Sequence, residues 1–140
     1  MLVIDASAAL YLLASADGIE PLASLELAAP ALLWSEVTSV LNEMRWRGEV
    51  SEPLAETAFE RLLAAPIARQ ADPALYSQAR EVAQALEWAK TYDAEYVSLA
   101  RTLDTALVSR DERLRRGAAR LVTVVGPDEI LPPKHPPELE

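Results

Sequence analysis

Residues 2–14 read LVIDASAALYLLA, an apolar run followed by one acid and then a helix-prone segment. The run from Leu2 to Ile4 is short and contains β-branched residues, which predicts a buried strand. Asp5 ends this strand, and the almost wholly apolar stretch from Ala6 to Ala14 predicts a helix that covers a sheet. The chain therefore opens with a strand that passes through an acid directly into a helix.

The same alternation of short apolar runs and helical patterns continues along the chain. Further strands are predicted at Leu25 to Ala29, Ile67 to Gln70, Thr105 to Val108 and Leu121 to Val125. Helices are predicted at Ala31 to Arg47, Ser51 to Ala65, Asp72 to Lys90 and Asp93 to Leu103. Because strands separated by helices imply a parallel sheet, the sequence predicts an α/β fold with three layers, α/β/α, and a short parallel sheet.

Length and composition predict one domain followed by a tail. The chain has 140 residues and is 51% hydrophobic and 25% charged, which is the ordinary balance of a single globular domain. Half of its ten prolines lie from Pro127 onward. We therefore place the domain at residues 1–126 and expect an extended, unpacked tail at residues 127–140.

Several classes of protein are excluded by composition. Without cysteine there is no disulfide framework, thiol nucleophile or thiolate zinc site, which favours a cytoplasmic location. The one histidine, His135, lies in the proline-rich tail, so Ser-His-Asp catalysis and histidine-rich metal sites are not expected. No apolar run approaches the ~18 residues of a membrane span, so no membrane association is expected.

Two acids follow predicted strands, and two more lie on predicted helices. Asp5 comes directly after the first strand, and Asp111 lies just past the strand that ends at Val108. Parallel sheets bind ligands beyond the carboxyl ends of their strands, so both acids are expected there. Asp93 begins a helix on the side of its apolar residues, Tyr96 among them, which points it to the core margin and away from bulk water. Glu36 borders the apolar stripe of its own helix.

Four carboxylates at one end of a sheet would repel one another and raise each other's pKa unless a cation neutralised them. Ligands that are all oxygen suit Mg²⁺ or Mn²⁺. Such an ion lowers the pKa of a bound water and holds a phosphate against the acids. The constellation therefore predicts metal-dependent hydrolysis of phosphodiesters.

Four segments in this order resemble the PIN-domain ribonucleases, especially the VapC-type toxins of toxin–antitoxin pairs. They are VIDASAAL at 3–10, APALLWSEVTSVL at 29–41, TYDAEYVSLARTL at 91–103 and ALVSRDERL at 106–114. Together they span nearly the whole chain. Two positions depart from the family pattern. Ser39 stands where relatives often have asparagine, and Asp104 stands where they often have glycine. We expect Asp104 in the left-handed conformation.

The resemblance implies a metal-dependent endoribonuclease that leaves a 5′-phosphate and a 3′-hydroxyl. The acids that match the family's ligands for Mg²⁺ or Mn²⁺ are Asp5, Glu36, Asp93 and Asp111. Ser7 and Ser109 match supporting hydroxyl residues that hydrogen-bond a metal-bound water or the scissile phosphate. The resemblance also implies a homodimer and a cognate antitoxin whose C-terminal segment covers the acidic cleft.

Basic residues offer local attraction for RNA in a chain whose formal net charge is −9. The candidates are Arg45 and Arg47 at the end of the Glu36 helix, and Arg110, Arg113, Arg115, Arg116 and Arg120 after the last acid. The second group also fits a solvated helix paired with Glu112. Trp34 and Trp46 lie off the main apolar stripe, which fits either a dimer or antitoxin surface or packing at the core edge.

Other functions stay open at this point. Each acid alone fits a helix cap, a turn or a half-exposed helix position, and only the set favours a metal site. A housekeeping PIN-domain nuclease would carry the same residues. A phosphomonoesterase or receiver domain is disfavoured because Asp5-Ala6-Ser7 lacks a second acid and the only lysines are Lys90 and Lys134. A non-catalytic binding module is disfavoured by the complete acid set.

Overall fold

The computed structural model describes residues 1–131, and for Ala23 the backbone only. Strands and helices alternate over this range, with one 3₁₀ segment at Glu20–Leu25. The strands are β1 (Leu2–Ile4), β2 (Leu27–Pro30), β3 (Ile67–Gln70), β4 (Leu107–Val108) and β5 (Val124–Val125). The helices are α1 (Ala6–Ala14), α2 (Leu32–Trp46), α3 (Glu52–Ala64), α4 (Ala74–Leu86), α5 (Tyr92–Thr102), α6 (Glu112–Ala118) and α7 (Pro127–Ile130). Within residues 1–131, no helix has both the length and the apolar character that crossing a bilayer requires.

The five strands form one parallel sheet in the order β3-β2-β1-β4-β5. Val3 of β1 is paired with Ala28 of β2 on one side and with Leu107 of β4 on the other. Parallel crossovers are right-handed, so the helices before β3 cover one face of the sheet and the helices after β3 cover the other. Accordingly α1, α2 and α3 pack together, while α4 packs on α5, and α5 lies on β1, β2 and β4. The predicted three-layer α/β/α fold is confirmed.

The core lies between the sheet and these helices. The largest side chains that are fully buried include Tyr96, Ile4, Leu12 and Leu33. The helix that carries Tyr96 is buried throughout its middle, because it is covered by the sheet and by α4. This places the residues at the start of α5 next to the ends of the central strands.

Most predicted elements are present, with shifted ends. Leu25 belongs to the 3₁₀ segment, so β2 starts later than predicted. The predicted strand from Leu121 is also too long, because the amides of Leu121 and Val122 donate to the carbonyl of Ala118 at 2.9 and 3.1 Å. These bonds close the end of α6 and leave only the last two valines for β5. Asp104 has a φ of 51°, as predicted for its left-handed cap.

The predicted extended conformation of the tail is wrong for its first residues. Pro127–Ile130 form the one-turn helix α7, in which Pro127 is buried. Ile130 and Leu131 pack against the core. Proline at the first helical position has no N–H to leave unpaired, and Glu129 accepts from the amide of Gly126 at 3.1 Å, so the sequence starts a helix here. The rest of the predicted tail, 132–140 with His135, lies outside the described residues.

Candidate metal centre

The strand order reverses beside β1, and the candidate site lies at this reversal. From β1 the chain moves outward to β2 and β3 and then returns to β4 on the other side of β1. Such a reversal opens a crevice at the carboxyl ends of the two central strands. Asp5 follows β1, and its amide donates to the carbonyl of Val108 at the end of β4, 3.0 Å away. Ser109 follows Val108 directly.

Asp5 is fixed at the bottom of this crevice. Its side chain caps α1, because Oδ1 accepts from the amide of Ala8 at 3.0 Å and from Ser7 Oγ at 2.7 Å. Its second oxygen, Oδ2, accepts from Ser109 Oγ. Only 6% of Asp5 is exposed, and this burial raises the pKa of its carboxyl although the three hydrogen bonds act to lower it. The hydrogen bonds therefore fix the orientation of the carboxylate, and a nearby cation would offset the cost of burying its negative charge.

The two predicted supporting serines form a network around Asp5. Their hydroxyl oxygens are 3.3 Å apart, and each accepts a backbone N–H from the loop after β4. Ser7 Oγ accepts from the amide of Arg110 at 2.9 Å, and Ser109 Oγ accepts from the amide of Asp111 at 3.0 Å. The first turn of α1 is thus tied to the loop that leads into α6. A role of either serine toward water or phosphate stays a prediction.

Glu36 is held from the opposite helix layer. Tyr96 Oη donates to Glu36 Oε1 at 2.6 Å. Burial raises the pKa of Glu36, the hydrogen bond from Tyr96 lowers it, and the negative charges of Asp93 and Asp5 raise it further. The pKa of Tyr96 is raised by burial and by Glu36, so this hydroxyl keeps its proton at any physiological pH. Glu36 is half-buried at the edge of its helix, as the sequence predicted.

Asp93 and Asp111 line one pocket together with Lys90 and Arg113. Partial burial raises the pKa of Asp93, Asp111 raises it further, and Arg113 acts to lower it. Asp111 caps α6, since its Oδ1 accepts from the amides of Arg113 and Leu114 at 2.9 and 3.2 Å. Asp93 is exposed as a residue, although its carboxyl is partly buried. The expectation that it is turned away from solvent is therefore wrong: it lies at the rim of the crevice, where its helix begins.

The four acids act on one another electrostatically across the crevice. Asp93 raises the pKa of both Asp5 and Glu36, and Asp111 raises that of Asp93. Their donor chemistry, carboxylate oxygen alone, fits a hard divalent cation. Within residues 1–131, however, no three such side chains converge closely enough to share one ion. Like charges repel, and Asp5, Glu36 and Asp111 each face hydrogen-bond donors of their own, so joint ligation requires side-chain rotation. The quartet as metal ligands stays a prediction.

Three residues of the site were missed at the sequence level. Glu95 is only 8% exposed, and burial, followed by the charge of Glu36, raises its pKa. Its position two residues after Asp93, within the first turn of α5, could have indicated that it belongs to the site. Lys90 lies just before that turn and brings a cation to the rim. Tyr96 was assigned only to the apolar face of its helix, which hid its hydroxyl.

One of the predicted RNA-binding arginines lines the crevice, and a second lies next to it. Arg113 lines the pocket of Asp93 and Asp111. Arg110 follows Ser109, and its guanidinium lies over the ring of Tyr11, 4.2 Å from the centroid. Both are exposed.

The other predicted arginines do not converge there. Arg115 is paired with Glu129 of α7, Arg120 donates to the carbonyl of Ala85, and Arg116 is exposed on α6. Arg45 and Arg47 lie at the far end of α2, about 14–16 Å along the helix axis from Glu36. Contact of these five arginines with RNA stays a prediction, and their positions in the structure do not support it.

The two tryptophans on α2 differ. Trp34 is partly buried against the core, with the guanidinium of Arg69 4.6 Å from its ring centroid, so the core-edge interpretation fits it. Trp46 is 81% exposed at the last residue of the helix. An interaction surface at Trp46 stays a prediction.

Comparison with known proteins decides the family. The PIN domain model matches residues 2–120, which include all four acids of the crevice. The chain belongs to the PIN-domain family. A VapC ribonuclease of Mycobacterium bovis is 33% identical over 115 residues, covering 81% of this chain and 88% of that protein. Ribonuclease VapC3 of Mycobacterium tuberculosis is 34% identical over 119 residues, covering 81% of this chain and 85% of that protein. The resemblance to VapC-type PIN domains is confirmed.

Solved structures agree on the PIN fold. PAE2754 from Pyrobaculum aerophilum matches with a TM-score of 0.72 and 24% identity, covering 91% of this chain and 90% of that chain. VapBC2 from Rickettsia felis, solved bound to a DNA fragment from its promoter, matches with a TM-score of 0.63 and 11% identity, covering 89% and 97%. At these identities the likeness shows a shared architecture alone.

Proposed function

We propose that this protein is a metal-dependent endoribonuclease and the toxin of a VapBC-type toxin–antitoxin pair. The main support is that four separate segments bring Asp5, Glu36, Asp93 and Asp111 near the strand reversal. There the charge of Asp93 raises the pKa of Asp5 and Glu36, and the charge of Asp111 raises that of Asp93. Relatives that share a third of their residues over most of this chain are named VapC ribonucleases. The chemistry of the four acids and the similarity to VapC ribonucleases thus both support metal-dependent hydrolysis of RNA.

The side chains of the crevice have distinct tasks in RNA hydrolysis. A divalent cation, when bound, supplies charge neutralisation and lowers the pKa of water. Ser7 and Ser109 hold Asp5 at the crevice, and Tyr96 holds Glu36 there. Both carboxylates would rotate from these positions to share a cation with the other acids. Hydrogen bonds to these two carboxylates favour their ionised forms, which are the forms that bind a cation.

Positive charge at the rim complements the RNA backbone. Arg113 and Lys90 line the pocket of Asp93 and Asp111, and Arg110 lies beside the two serines. Guanidinium groups hold phosphate oxygens by charge-assisted hydrogen bonds and carry no sequence preference themselves. We assign them to holding the RNA phosphates on either side of the scissile bond. Transfer, ribosomal and messenger RNA all present this chemistry.

We propose Mg²⁺ or Mn²⁺ as the cation, because every candidate ligand is a carboxylate oxygen and the described residues contain neither cysteine nor histidine. The partners that we propose are an antitoxin protein and a second copy of the chain. Support for the antitoxin comes from the relatives named VapC ribonucleases, because the VapC-type proteins that this chain resembles are toxins of toxin–antitoxin pairs. The absence of cysteine fits action in the cytoplasm.

The test of this function is cleavage of total RNA by the purified protein, with Mg²⁺, with Mn²⁺ and with chelator. We expect cutting only with the metals, loss of cutting in Asp5→Asn, and full activity in Asp17→Asn, an exposed acid outside the crevice. Equal cutting in chelator, or by Asp5→Asn, would contradict the proposal.

The toxin role needs its own test, since a housekeeping nuclease would carry the same site. We expect induced expression to stop growth, the Asp5→Asn variant to leave growth unchanged, and co-expression of a small DNA-binding protein from the adjacent reading frame to restore growth. Growth arrest by the Asp5→Asn variant would contradict a toxin that acts through this site.

A further inference from the structure

A tyrosine on α1 is placed to control one of the arginines at the crevice. The guanidinium of Arg110 lies 4.2 Å from the centroid of the Tyr11 ring, and Tyr11 Oη donates to Asp128 Oδ1 at 3.2 Å. We propose that Tyr11 is a positioning residue that holds Arg110 against the phosphate of a bound RNA strand, and that α7 holds Tyr11 in place. This inference rests on the proposed function.

The backbone of Arg110 is already fixed beside Ser7 and Ser109. Its amide donates to Ser7 Oγ at 2.9 Å, and its neighbour Ser109 donates to Asp5. The direction of the long Arg110 side chain is therefore the remaining freedom. A guanidinium stacked on an aromatic face keeps its N–H groups free at the edge, where they are able to bind phosphate.

Tyr11 is on the correct face of its helix for this task. It lies four residues after Ser7 on α1, and residues at this spacing are neighbours on one face. Its side chain is half-buried and packs against the core. The ring is thus held above the serine that contacts both Asp5 and the amide of Arg110.

The hydroxyl of Tyr11 is held by α7, and α7 is held in turn by α6. Glu129, next to Asp128, accepts from both terminal nitrogens of Arg115, the second at 3.2 Å. It also accepts from the amide of Gly126 at 3.1 Å. Asp128 is therefore part of an anchored turn, which gives Tyr11 a fixed partner.

This arrangement divides the arginines after the last strand into two groups. Arg115 is occupied by Glu129, and Arg120 donates to a backbone carbonyl, so both stabilise the fold. Arg110 faces an aromatic ring instead of a carboxylate, and its charge stays available to a phosphate. In a protein with a net charge of −9, one oriented cation at the crevice is a specific contribution to RNA binding.

The test compares Tyr11→Leu, Tyr11→Phe, Arg110→Gln and the Tyr11→Leu/Arg110→Gln double variant on the RNA that the wild-type protein cleaves. A contact made equally before and during the reaction changes KM and leaves kcat unchanged. We expect Tyr11→Leu and Arg110→Gln each to raise KM roughly tenfold, with kcat within about twofold. The double variant should be no worse than Arg110→Gln, because both changes remove one function. Tyr11→Phe, which keeps the ring, should raise KM by a smaller factor.

Matched controls and a salt series separate positioning from a general effect. Tyr76→Leu and Arg101→Gln change an exposed tyrosine and an exposed arginine outside the crevice and should leave KM unchanged. The slope of log affinity against log salt should fall by about 0.7 in Arg110→Gln, as for one lost phosphate contact on a single strand. If Tyr11→Leu does not fold, Asp128→Ala replaces it in the test, because Asp128 is exposed and accepts the hydrogen bond of Tyr11. We then expect KM to rise about threefold.

The outcomes distinguish this inference from the proposed function. If the wild-type protein cleaves RNA with metal and Asp5→Asn does not, while Tyr11→Leu behaves like Tyr76→Leu, the positioning role is wrong and the nuclease remains. If the effects of Tyr11→Leu and Arg110→Gln on KM were additive in the double variant, the positioning role would also be wrong. If the wild-type protein cleaves no RNA under any condition, the proposed function itself fails.

Discussion

Tyr96 Oη lies 2.6 Å from Glu36 Oε1, and this hydrogen bond joins α5 to α2 across the carboxyl edge of the sheet. The ring of Tyr96 is buried, whereas Glu36 is half-exposed at the crevice. The bond thus connects a side chain of the core to a candidate metal ligand. It gives Glu36 a fixed orientation and opposes the rise in its pKa that burial and neighbouring acids cause.

Tyr96→Phe removes this donor and keeps the buried ring. Because the pKa of Glu36 then rises, we expect the acidic limb of the pH–rate profile for RNA cleavage to move to higher pH. The free energy of unfolding should fall by only about 1 kcal/mol, since the acceptor is partly solvated. Tyr76→Phe, an exposed control, should change neither. An unmoved acidic limb in Tyr96→Phe would show that Glu36 does not need to ionise for activity.

Ser109→Ala should weaken both the fold and the site. Ser109 is buried, donates to Asp5 and accepts from the amide of Asp111 at 3.0 Å. Loss of this hydroxyl leaves that amide without its acceptor, so we expect the free energy of unfolding in urea to fall by about 1–3 kcal/mol. The exposed Ser35→Ala is the control. Unchanged unfolding in Ser109→Ala would mean that water replaces the hydroxyl fully.

Asp93→Asn should separate activity from stability. The carboxyl of Asp93 is partly buried and faces the charge of Asp111, both of which raise its pKa, so removal of its charge relieves repulsion in the metal-free protein. We expect RNA cleavage to fall at least about a hundredfold, as expected for loss of a metal ligand, with a melting temperature in chelator equal to or above that of the wild type. A large fall in melting temperature with activity intact would show that Asp93 is structural.

Stability of the metal-free protein should depend on pH in a direction set by the same acids. The pKa values of Asp5, Glu36, Asp93 and Glu95 are raised in the folded state above their ordinary values, in each case chiefly by burial. The folded state therefore binds more protons than the unfolded state between the raised and the ordinary values. Stability should accordingly increase as pH falls from neutrality toward the ordinary values of 3.8 for the aspartates and 4.5 for the glutamates. Below the ordinary values these groups contribute no further gain.

Thermal melts in chelator across this range provide the measurement. Asp93→Asn should show a weaker dependence on pH, because one of the four groups no longer titrates. Saturating Mg²⁺ should flatten or reverse the trend, since cations bind the ionised carboxylates. Melting temperatures that fall steadily from neutral to mildly acidic pH in chelator would contradict a crevice of mutually repelling acids.

Features set by neighbouring residues were predictable from the sequence. The strand, acid and helix at residues 2–14 are present, Ser51 caps α3 with a hydrogen bond to the amide of Leu54, and Asp104 is left-handed. Helix and strand propensity, capping and turn conformation depend on residues close together in the chain, so short sequence patterns predict them. The parallel sheet and the placement of acids at its carboxyl edge follow from the same elements.

Features that depend on distant partners were not predictable in this way. Tyr96 and Glu36 are 60 residues apart in the chain, and helical periodicity assigned the tyrosine to the core without its hydroxyl. Arg115 belongs to a basic run, yet Glu129 of α7 neutralises it. The prolines of the tail led to the prediction of an extended segment, but proline fits the first turn of a helix as well as an extended chain, and α7 begins with one. Tertiary contact decides each of these cases.

The most direct test of a divalent-cation site is calorimetric titration of the metal-free protein with Mn²⁺. We expect the wild type and Glu60→Gln, an exposed acid on α3, to bind equally. Single neutral variants of the four crevice acids should each bind at least about tenfold more weakly; they are Asp5→Asn, Glu36→Gln, Asp93→Asn and Asp111→Asn. Absence of Mn²⁺ binding by the wild type, or unchanged affinity in all four variants, would contradict a metal centre at the strand reversal.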